Sequence, residues 1–408
     1  MVLLKKTFLF KKNQKDKLFL QKFKETKYNV LIIADYIKDD EFGKEVIDFS
    51  NYCIENKIGV VLLTKFNYYK MVISSKVYVA KNSIFKRKTI KRICKNYSID
   101  DIIVYDYNSF QLVHSIKGAL NIPITFCFLN MINIKNEFDY LRYKKIVSAD
   151  VIACFSEEVC NYLLNNYDFD NEKLHLFHFC ADDNIFDTKK ITSCRIKNLS
   201  KVDKNIDLNK KFFYCFVNFN NIKSIISMLN AIKLINNKNV IYILSGSFTN
   251  TYKSRMLLIQ KIKELNLQNI VKISKTISDK PSMYISAYAV IDLLNENEFS
   301  KAFCEAGFMK KPVIIIYNSY VNKNIIDGKT GFIAKDRNIF DIKSAISKVL
   351  DLSKDEYKEI CNSAYEYVSM FCNKNDVYSK IDETIFECIK NHQKKKNKNK
   401  KSKVLESL

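Results

Sequence analysis

The sequence predicts a two-domain α/β protein in which each domain is a doubly wound parallel β-sheet flanked by helices. With 408 residues and 47% hydrophobic content, the chain is large enough to form two separate cores. Short continuous apolar runs, typical of strands buried on both faces, alternate with segments whose apolar residues recur at helical spacing. This alternation stops in a polar stretch rich in lysine and asparagine, residues 191–210, and then starts again.

The first domain is predicted over residues 27–190, after a basic N-terminal extension of residues 1–26. It opens with the strand Y-N-V-L-I-I-A-D-Y, followed by a helix from Lys44 to Lys57 and a second buried strand, I-G-V-V-L-L-T. A strand-helix-strand unit of this kind indicates parallel pairing. The alternation continues through the strands I-D-D-I-I-V-Y-D, I-P-I-T-F-C-F-L, A-D-V-I-A-C-F-S and K-L-H-L-F-H-F.

The second domain is predicted over residues 211–370, with residues 191–210 as the linker. Its first elements are a strand from Lys211, a helix Ile222–Ile235 and the strand V-I-Y-I-L-S-G, which ends at Gly246. Two such domains in tandem would face each other across a cleft lined by the carboxyl ends of their strands. The segment of residues 295–335 is predicted to hold a short helix from Ser300 to Met309, a buried strand from Val313 to Tyr317 and a turn at Asp327-Gly328.

The C-terminal region is predicted to contain a helix over residues 371–390 that packs back on the first domain. Residues 391–408 form a run of lysine and asparagine with almost no apolar content, which predicts a disordered basic tail. We interpret that tail as solvated. The alternative is contact with an anionic lipid or another polyanion.

The formal net charge of +23 would normally suggest a nucleic-acid partner. Lysine, asparagine, isoleucine and tyrosine are enriched along the whole chain, however, and no basic cluster combines with aromatics into a recognisable nucleic-acid module. We therefore expect no nucleic-acid partner.

The twelve cysteines are scattered, mostly within apolar runs, and none has the spacing of a zinc site, so buried free thiols and no metal are expected. The N-terminus lacks the apolar core of a signal peptide, and no run of about 18 uncharged apolar residues predicts a membrane span. These features predict a cytoplasmic protein, with peripheral contact at a membrane surface as a further possibility.

Residues 295–335 resemble the donor-binding signature of the retaining GT-B glycosyltransferases of family 4, also called glycosyl transferases group 1. The pattern of that family is roughly E-x-F-G-x-x-x-x-E-A, then G-K-P-V, then I-x-D-G-x-T-G-F. The chain has N-E-F-S-K-A-F-C-E-A, K-K-P-V and I-I-D-G-K-T-G-F in the same order. The segments S-A-D-V-I-A-C-F-S, C-A-D-D-N-I-F and F-V-N-F-N-N-I-K-S are also similar to family motifs. The resemblance implies two Rossmann-like domains and a nucleotide-sugar donor bound by the second.

Several donor-binding residues follow from this resemblance. Glu305 matches the glutamate that binds the nucleotide ribose, and Lys223 matches the lysine that binds the diphosphate. A plain solvated lysine at a helix start is the alternative for Lys223. Asn218 stands where the family has a diphosphate-binding arginine, and Gly246 matches a glycine turn.

The catalytic candidates are Asn297 and Glu298. Asn297 occupies the position of the family's first glutamate, so a shift of one residue that brings Glu298 or Glu296 into the site is the alternative. Phe299 and Ser300 replace the Phe-Gly of the pattern and are predicted to contact the donor. On the acceptor side, Gly43 matches a glycine-rich loop, with a plain loop as the alternative reading.

The function that the resemblance implies is transfer of a sugar, with retention, from a UDP- or GDP-linked donor to a glycan, glycolipid or protein. No metal or other cofactor is expected. Because Asn297, Ser300 and Asn218 depart from the family pattern, the alternative is a non-catalytic relative that binds or scaffolds in a glycosylation complex. A third hypothesis is a nucleic-acid or polyanion binder acting through residues 393–403.

Overall fold

The structure is a computed structural model. Two parallel β-sheets with flanking helices make up its framework. No helix among the described residues is both long enough and apolar enough to span a membrane. The described residues are 23, 25–37, 41–67, 76–79, 87–129, 137–191, 199, 202–203, 206–217, 219, 222–246, 252–275, 279–293, 301–316 and 325–405.

The first sheet has seven strands in the order β3-β2-β1-β4-β5-β6-β7, and every neighbouring pair is parallel. The direction of winding reverses between β1 and β4, as in doubly wound folds. The strands are β1 Asn29–Ile37, β2 Gly59–Asn67, β3 Lys76–Val79, β4 Asp101–Val104, β5 Ile124–Phe128, β6 Val151–Cys154 and β7 Leu174–Leu176.

The second sheet has six parallel strands in the order β10-β9-β8-β11-β12-β13, with the same kind of reversal between β8 and β11. The prediction of two doubly wound domains is therefore confirmed. The strands are β8 Lys211–Phe216, β9 Val240–Gly246, β10 Val271–Lys275, β11 Ala289–Asp292, β12 Val313–Ile316 and β13 Phe332–Ala334.

Thirteen α-helices lie within the described residues and connect or flank these strands. They are α1 Glu41–Glu55, α2 Arg87–Asn96, α3 Tyr107–His114, α4 Lys117–Leu120, α5 Glu137–Ile146, α6 Glu157–Asn166, α7 Ile222–Ile235, α8 Tyr252–Glu264, α9 Lys280–Ser286, α10 Ala302–Phe308, α11 Ile339–Leu350, α12 Lys354–Phe371 and α13 Lys374–Leu405.

Side chains alternate between two cores along each central strand, as the period of a strand requires. In β1, Leu31 belongs to an outer core, whereas Ile32 faces a central one. In β8, Phe213 belongs to a different outer core, whereas Tyr214 faces that same central core. The central core therefore receives side chains from both sheets and joins the two domains face to face.

The connection between the domains is anchored to this central core. Leu199 is completely buried in it, and Val202, Ile206 and Leu208 pack against it while remaining partly exposed. Although the sequence of residues 191–210 is mostly polar, its few apolar side chains attach the described part of the connection to the protein.

The last helix, α13, packs on the first domain. Tyr378 is fully buried, with its ring centroid 5.3 Å from that of Phe49 and 5.5 Å from that of Tyr52. The helix continues to Leu405, so the prediction of a disordered tail over residues 391–408 is wrong for residues 391–405. Lysine and glutamine are good helix formers, and a helix already held by packing extends at little cost because each added residue gains a hydrogen bond.

Candidate functional site

The short helix α10 carries the predicted ribose-binding residue, Glu305, into the space between the domains. All seven residues of α10 are buried, and Glu305 is only 5% exposed. Gly307 permits this placement, because a Cβ atom there would lie 2.6 Å from Cγ1 of Val368 in α12. The glycine thus lets α10 pack directly on α12.

The carboxylate of Glu305 is held by two side chains of α9. The ammonium of Lys280 lies 3.0 Å from each carboxylate oxygen, and the hydroxyl of Tyr284 donates a hydrogen bond of 2.6 Å to Oε2. Lys280 and Tyr284 are four residues apart in the chain, so they face the same side of the helix. Burial, reinforced by the charge of Glu305, raises the pKa of Tyr284 well above its usual value, so this hydroxyl stays protonated and donates.

A carboxylate of the first domain reaches the same lysine. Oε1 of Glu41, the first residue of α1, lies 3.0 Å from Nζ of Lys280 and 3.5 Å from Nζ of Lys44. Burial alone would raise the pKa of Glu41, but the ammonium groups of Lys280 and Lys44 outweigh burial and lower it to about 2. Lys280 is buried, yet the carboxylates of Glu305 and Glu41 raise its pKa above the ordinary value. Glu41 and Lys280 are therefore both ionised at neutral pH.

A second bridge between the domains lies further along α1. Nζ of Lys301, the residue before α10, is 2.7 Å from Oε2 of Glu45 and 3.2 Å from Oδ2 of Asp48. Spacings of four and three residues place the acidic side chains of α1 on one face of the helix, toward the second domain. We call this set of charges the interdomain ion cluster; its members are Glu41, Glu45, Asp48, Lys280, Lys301 and Glu305.

The comparison of the sequence with known protein families identifies the second domain. The family described as Glycosyl transferases group 1 matches residues 197–367, a span that includes α9, α10 and Glu305. Residues 197–367 therefore form a divergent glycosyl transferases group 1 domain. The sequence-based recognition of this group is confirmed, whereas assignment to the retaining family 4 stays a prediction. No curated protein sequence matches the chain.

Solved structures share the fold of this chain over most of its length. A glycosyltransferase from Rickettsia africae is 18% identical, with a TM-score of 0.78 over 90% of this chain and 99% of its own. HepE from Anabaena, in complex with UDP and glucose, is 15% identical with a TM-score of 0.74, over 88% and 100% of the two chains. Sucrose-phosphate synthase from Thermosynechococcus elongatus is 12% identical with a TM-score of 0.74, over 88% and 99%. At these identities the similarity establishes the two-domain fold.

Two predicted donor residues lie near the start of the second domain. Gly246 ends β9, and a Cβ atom there would lie 2.0 Å from the carbonyl oxygen of Val217, so the glycine is required by the chain that passes over it. Lys223 is the second residue of α7, and its side chain is exposed. In the described part of the chain, the ammonium that contacts Glu305 belongs to Lys280 rather than to Lys223.

Gly43 lies in a helix, so the prediction that it belongs to a loop is wrong, whereas its place on the acceptor side stays a prediction. It is buried in the first turn of α1, which begins at Glu41, three residues before the predicted start. An acidic residue in the first turn is favourable because it faces the positive end of the helix dipole. The residues Asn297, Glu298, Glu296, Phe299, Ser300 and Asn218 lie outside the described residues.

The sequence interpretation missed most of the interdomain ion cluster. In the sequence, E-F-G-K-E-V-I-D from Glu41 to Asp48 reads only as the polar part of an amphipathic helix. The available signal was that Glu45 shares one helical face with apolar side chains, since Phe42 stands three residues before it and Phe49 four residues after it. A carboxylate on an apolar helical face requires a buried cationic partner. The chain has 67 lysine and arginine residues, and nothing in the sequence distinguishes Lys280 and Lys301 from the others.

Proposed function

We propose that this chain transfers a sugar, with retention, from a UDP- or GDP-linked donor to a glycan, glycolipid or protein acceptor, and that it needs no metal. The observation that carries the proposal is the buried carboxylate of Glu305, held between the two domains within the matched group 1 segment. A carboxylate accepts hydrogen bonds from both hydroxyls of a ribose, and such charge-assisted bonds are strong. The complex of HepE with UDP-glucose supports a UDP-linked donor for this chain as well.

Cleavage of the bond between the sugar and the diphosphate develops negative charge on the leaving phosphates, so nearby cations and backbone N–H groups must stabilise that charge. By resemblance we assign this role to Lys223, Asn218 and Gly246. We assign contacts with the transferred sugar and the phosphates to Asn297, Glu298, Phe299 and Ser300, and contact with the acceptor side to the start of α1 near Gly43.

The first test is release of nucleoside diphosphate from UDP- and GDP-sugars by the purified full-length chain, with extracts of its own cells as acceptor. Wild type should release the diphosphate and Glu305→Gln should not, and EDTA should leave the rate unchanged. Retention is tested by determining the anomeric configuration of the isolated product. Absence of release from every donor would contradict the proposal.

The alternative function is a non-catalytic subunit that scaffolds a glycosylation complex. One specific observation favours it: the ribose-binding carboxylate of Glu305 already has a bidentate ammonium and a phenol as partners. Thermal-shift titration with UDP and GDP separates the two functions, because a ligand that binds the native state raises the melting temperature. Stabilisation supports a retained donor site, and no response to any nucleotide supports the scaffold.

We further propose that the chain is cytoplasmic and contacts anionic membranes from the face that carries α2 and α13. These two helices border an open cavity of about 430 Å³, whose lining includes Lys91, Lys95 and Lys396. Lysines near an anionic surface contribute about 1 kcal/mol each. Flotation with vesicles that contain phosphatidylserine should recover wild type, and glutamine at these three lysines should reduce recovery. Equal flotation with neutral vesicles would contradict an electrostatic contact.

A further inference from the structure

We infer that Lys280 binds the donor diphosphate, and that the carboxylate of Glu41 occupies this lysine in the ligand-free protein, so that the donor must displace Glu41. The inference rests on the proposed function, because it assumes a nucleotide diphosphate in the site. It assigns phosphate binding to a lysine that lies outside the family motifs. It also makes Glu41, from the other domain, a competitor of the donor phosphates for that lysine.

The first step concerns the hydrogen-bonding capacity of Glu305. A carboxylate offers about four acceptor positions, and three are filled here, two by Lys280 and one by Tyr284. A ribose that presents two neighbouring hydroxyls needs two positions. Lys280 must therefore give up at least one of its contacts with Glu305 when the donor binds, whereas the contact with Tyr284 can remain.

The second step concerns the destination of the released ammonium. Lys280 is only 9% exposed, and its Nζ lies 4.7 Å from the ring centroid of Phe216, at the end of β8. Leaving a buried ammonium unpaired is strongly unfavourable. In a nucleoside diphosphate the phosphates are joined to the same ribose that Glu305 binds, so they bring a new anion close to Lys280. The lysine exchanges a carboxylate contact for a phosphate contact and stays paired.

The third step identifies the anion that leaves. Lys280 now lies between two carboxylates, and a diphosphate placed beside Glu41 would be repelled by it. Glu41 is also held less completely than Glu305. Both of its ion pairs use Oε1, and its buried Oε2 has no hydrogen-bond donor among the described residues. Glu305 keeps its hydrogen bond from Tyr284 both with and without the donor, so Glu41 is the group that the donor displaces.

Displacement of Glu41 does not require the domains to separate. Lys301 remains paired with Glu45 and Asp48, one and two turns further along the same helix. The start of α1 therefore moves while its middle stays attached to the second domain. The Glu41–Lys280 contact thus acts as a local competitor of the donor, and its removal should increase donor affinity.

The test is isothermal titration of the full-length chain with UDP, GDP and their sugar conjugates. Glu41→Gln should bind the preferred nucleotide about tenfold more tightly than wild type, because the competing state is weakened. Glu45→Gln is the matched control: it also removes one interdomain carboxylate from α1, but not from Lys280, and its affinity should stay within about twofold of wild type. Glu41→Gln combined with Lys280→Gln should lose the gained affinity, because the amide that replaces the ammonium carries no charge to pair with the phosphates, while Glu305 keeps its hydrogen bond from Tyr284.

Three results would overturn the inference. Equal binding by wild type and Glu41→Gln would show that Glu41 does not compete. An equal gain in Glu41→Gln and Glu45→Gln would show that the gain comes from general loosening between the domains. Nucleotide affinity that survives in the double variant would show that Lys280 does not bind the phosphates. If neither wild type nor Glu41→Gln binds any nucleotide, the proposed function fails together with the inference, which distinguishes this outcome from the other three.

Discussion

Two sets of ion pairs, here called bridges, join the same face of α1 to the second domain, and they differ in burial and in whether they include a predicted donor residue. The bridge through Lys280 includes Glu305, the predicted ribose-binding residue, and is buried throughout. The bridge through Lys301 ends at Asp48, whose side chain is 41% exposed, and contains no predicted donor residue. Similar ion pairs on one helix therefore have separate roles. The Lys301 bridge attaches the domains, whereas the Lys280 bridge is the one that we propose to regulate access to the donor site.

The largest expected effect is a loss of enzymatic activity, which should occur when the Lys280 bridge is changed but not when the Lys301 bridge is changed. Replacing Glu305 with alanine should reduce nucleoside diphosphate release by roughly a thousandfold, because two charge-assisted hydrogen bonds to the ribose, each about 1.5–3 kcal/mol, are lost. The rate is measured at subsaturating donor. Asp48→Ala is the control, since it shortens only the Lys301 bridge. Similar losses in both variants would contradict a special role for the Lys280 bridge.

The second prediction concerns stability. Lys301→Met leaves the carboxylate of Glu45, 2% exposed, without its cation and should lower the free energy of unfolding by about 3–5 kcal/mol. Urea denaturation followed by circular dichroism measures this change. The double variant Lys301→Met with Glu45→Met should recover most of the loss, because two apolar side chains replace the pair. No recovery would indicate that the cost comes from packing rather than from the unpaired charge.

The third prediction uses pH. The pKa of Glu41 falls from 4.5 to about 2 on folding, so its stabilisation is complete above pH 4.5 and is lost as the pH falls toward 2. The pKa of Lys280 is raised from 10.5, so its stabilisation is complete below pH 10.5 and is lost above that. Wild type should therefore lose stability between pH 4.5 and pH 2 more steeply than Glu41→Gln. The free energy of unfolding is measured by urea denaturation at each pH. An equal decrease for wild type and Glu41→Gln between pH 4.5 and pH 2 would contradict this assignment.

The smallest expected effect comes from an exposed ion pair that, like the two buried bridges, joins a lysine to a carboxylate. Nζ of Lys348 lies 3.1 Å from Oδ2 of Asp327, with side chains 49% and 39% exposed. Exposed pairs contribute about 0–1 kcal/mol, so Lys348→Met should change the free energy of unfolding by less than about 1 kcal/mol. A loss as large as that of Lys301→Met would mean that burial does not distinguish the bridges.

Local sequence signals were sufficient for the framework and for one member of the site. The apolar run that forms β1 and the helix Ile222–Ile235 were predicted closely, because each depends on neighbouring residues in the chain. Glu305 was found because its motif is local. The short strand β3 and the helix α2 were missed. In α2 only three residues are buried, so its sequence is dominated by basic residues.

The partners of Glu305 could not be predicted from local sequence patterns. Glu41 is 239 positions from Lys280, so their contact depends on how the two domains pack together. Lysine is so common in this chain that one buried lysine cannot be distinguished from many solvated ones by type alone. A pair of this kind is specified by tertiary structure, in which burial makes two distant charges depend on each other.

The central core has a consequence for how the two domains move. It is one continuous set of apolar side chains that runs from the first sheet, through the contact between the domains, to the second sheet and α13. Wide separation of the domains would expose this surface to water, which is unfavourable in proportion to its apolar area. We therefore expect motion by shear, in which packed helices slide by small displacements, rather than by the swing of a free hinge. Solution scattering should then give nearly the same radius of gyration with and without nucleotide.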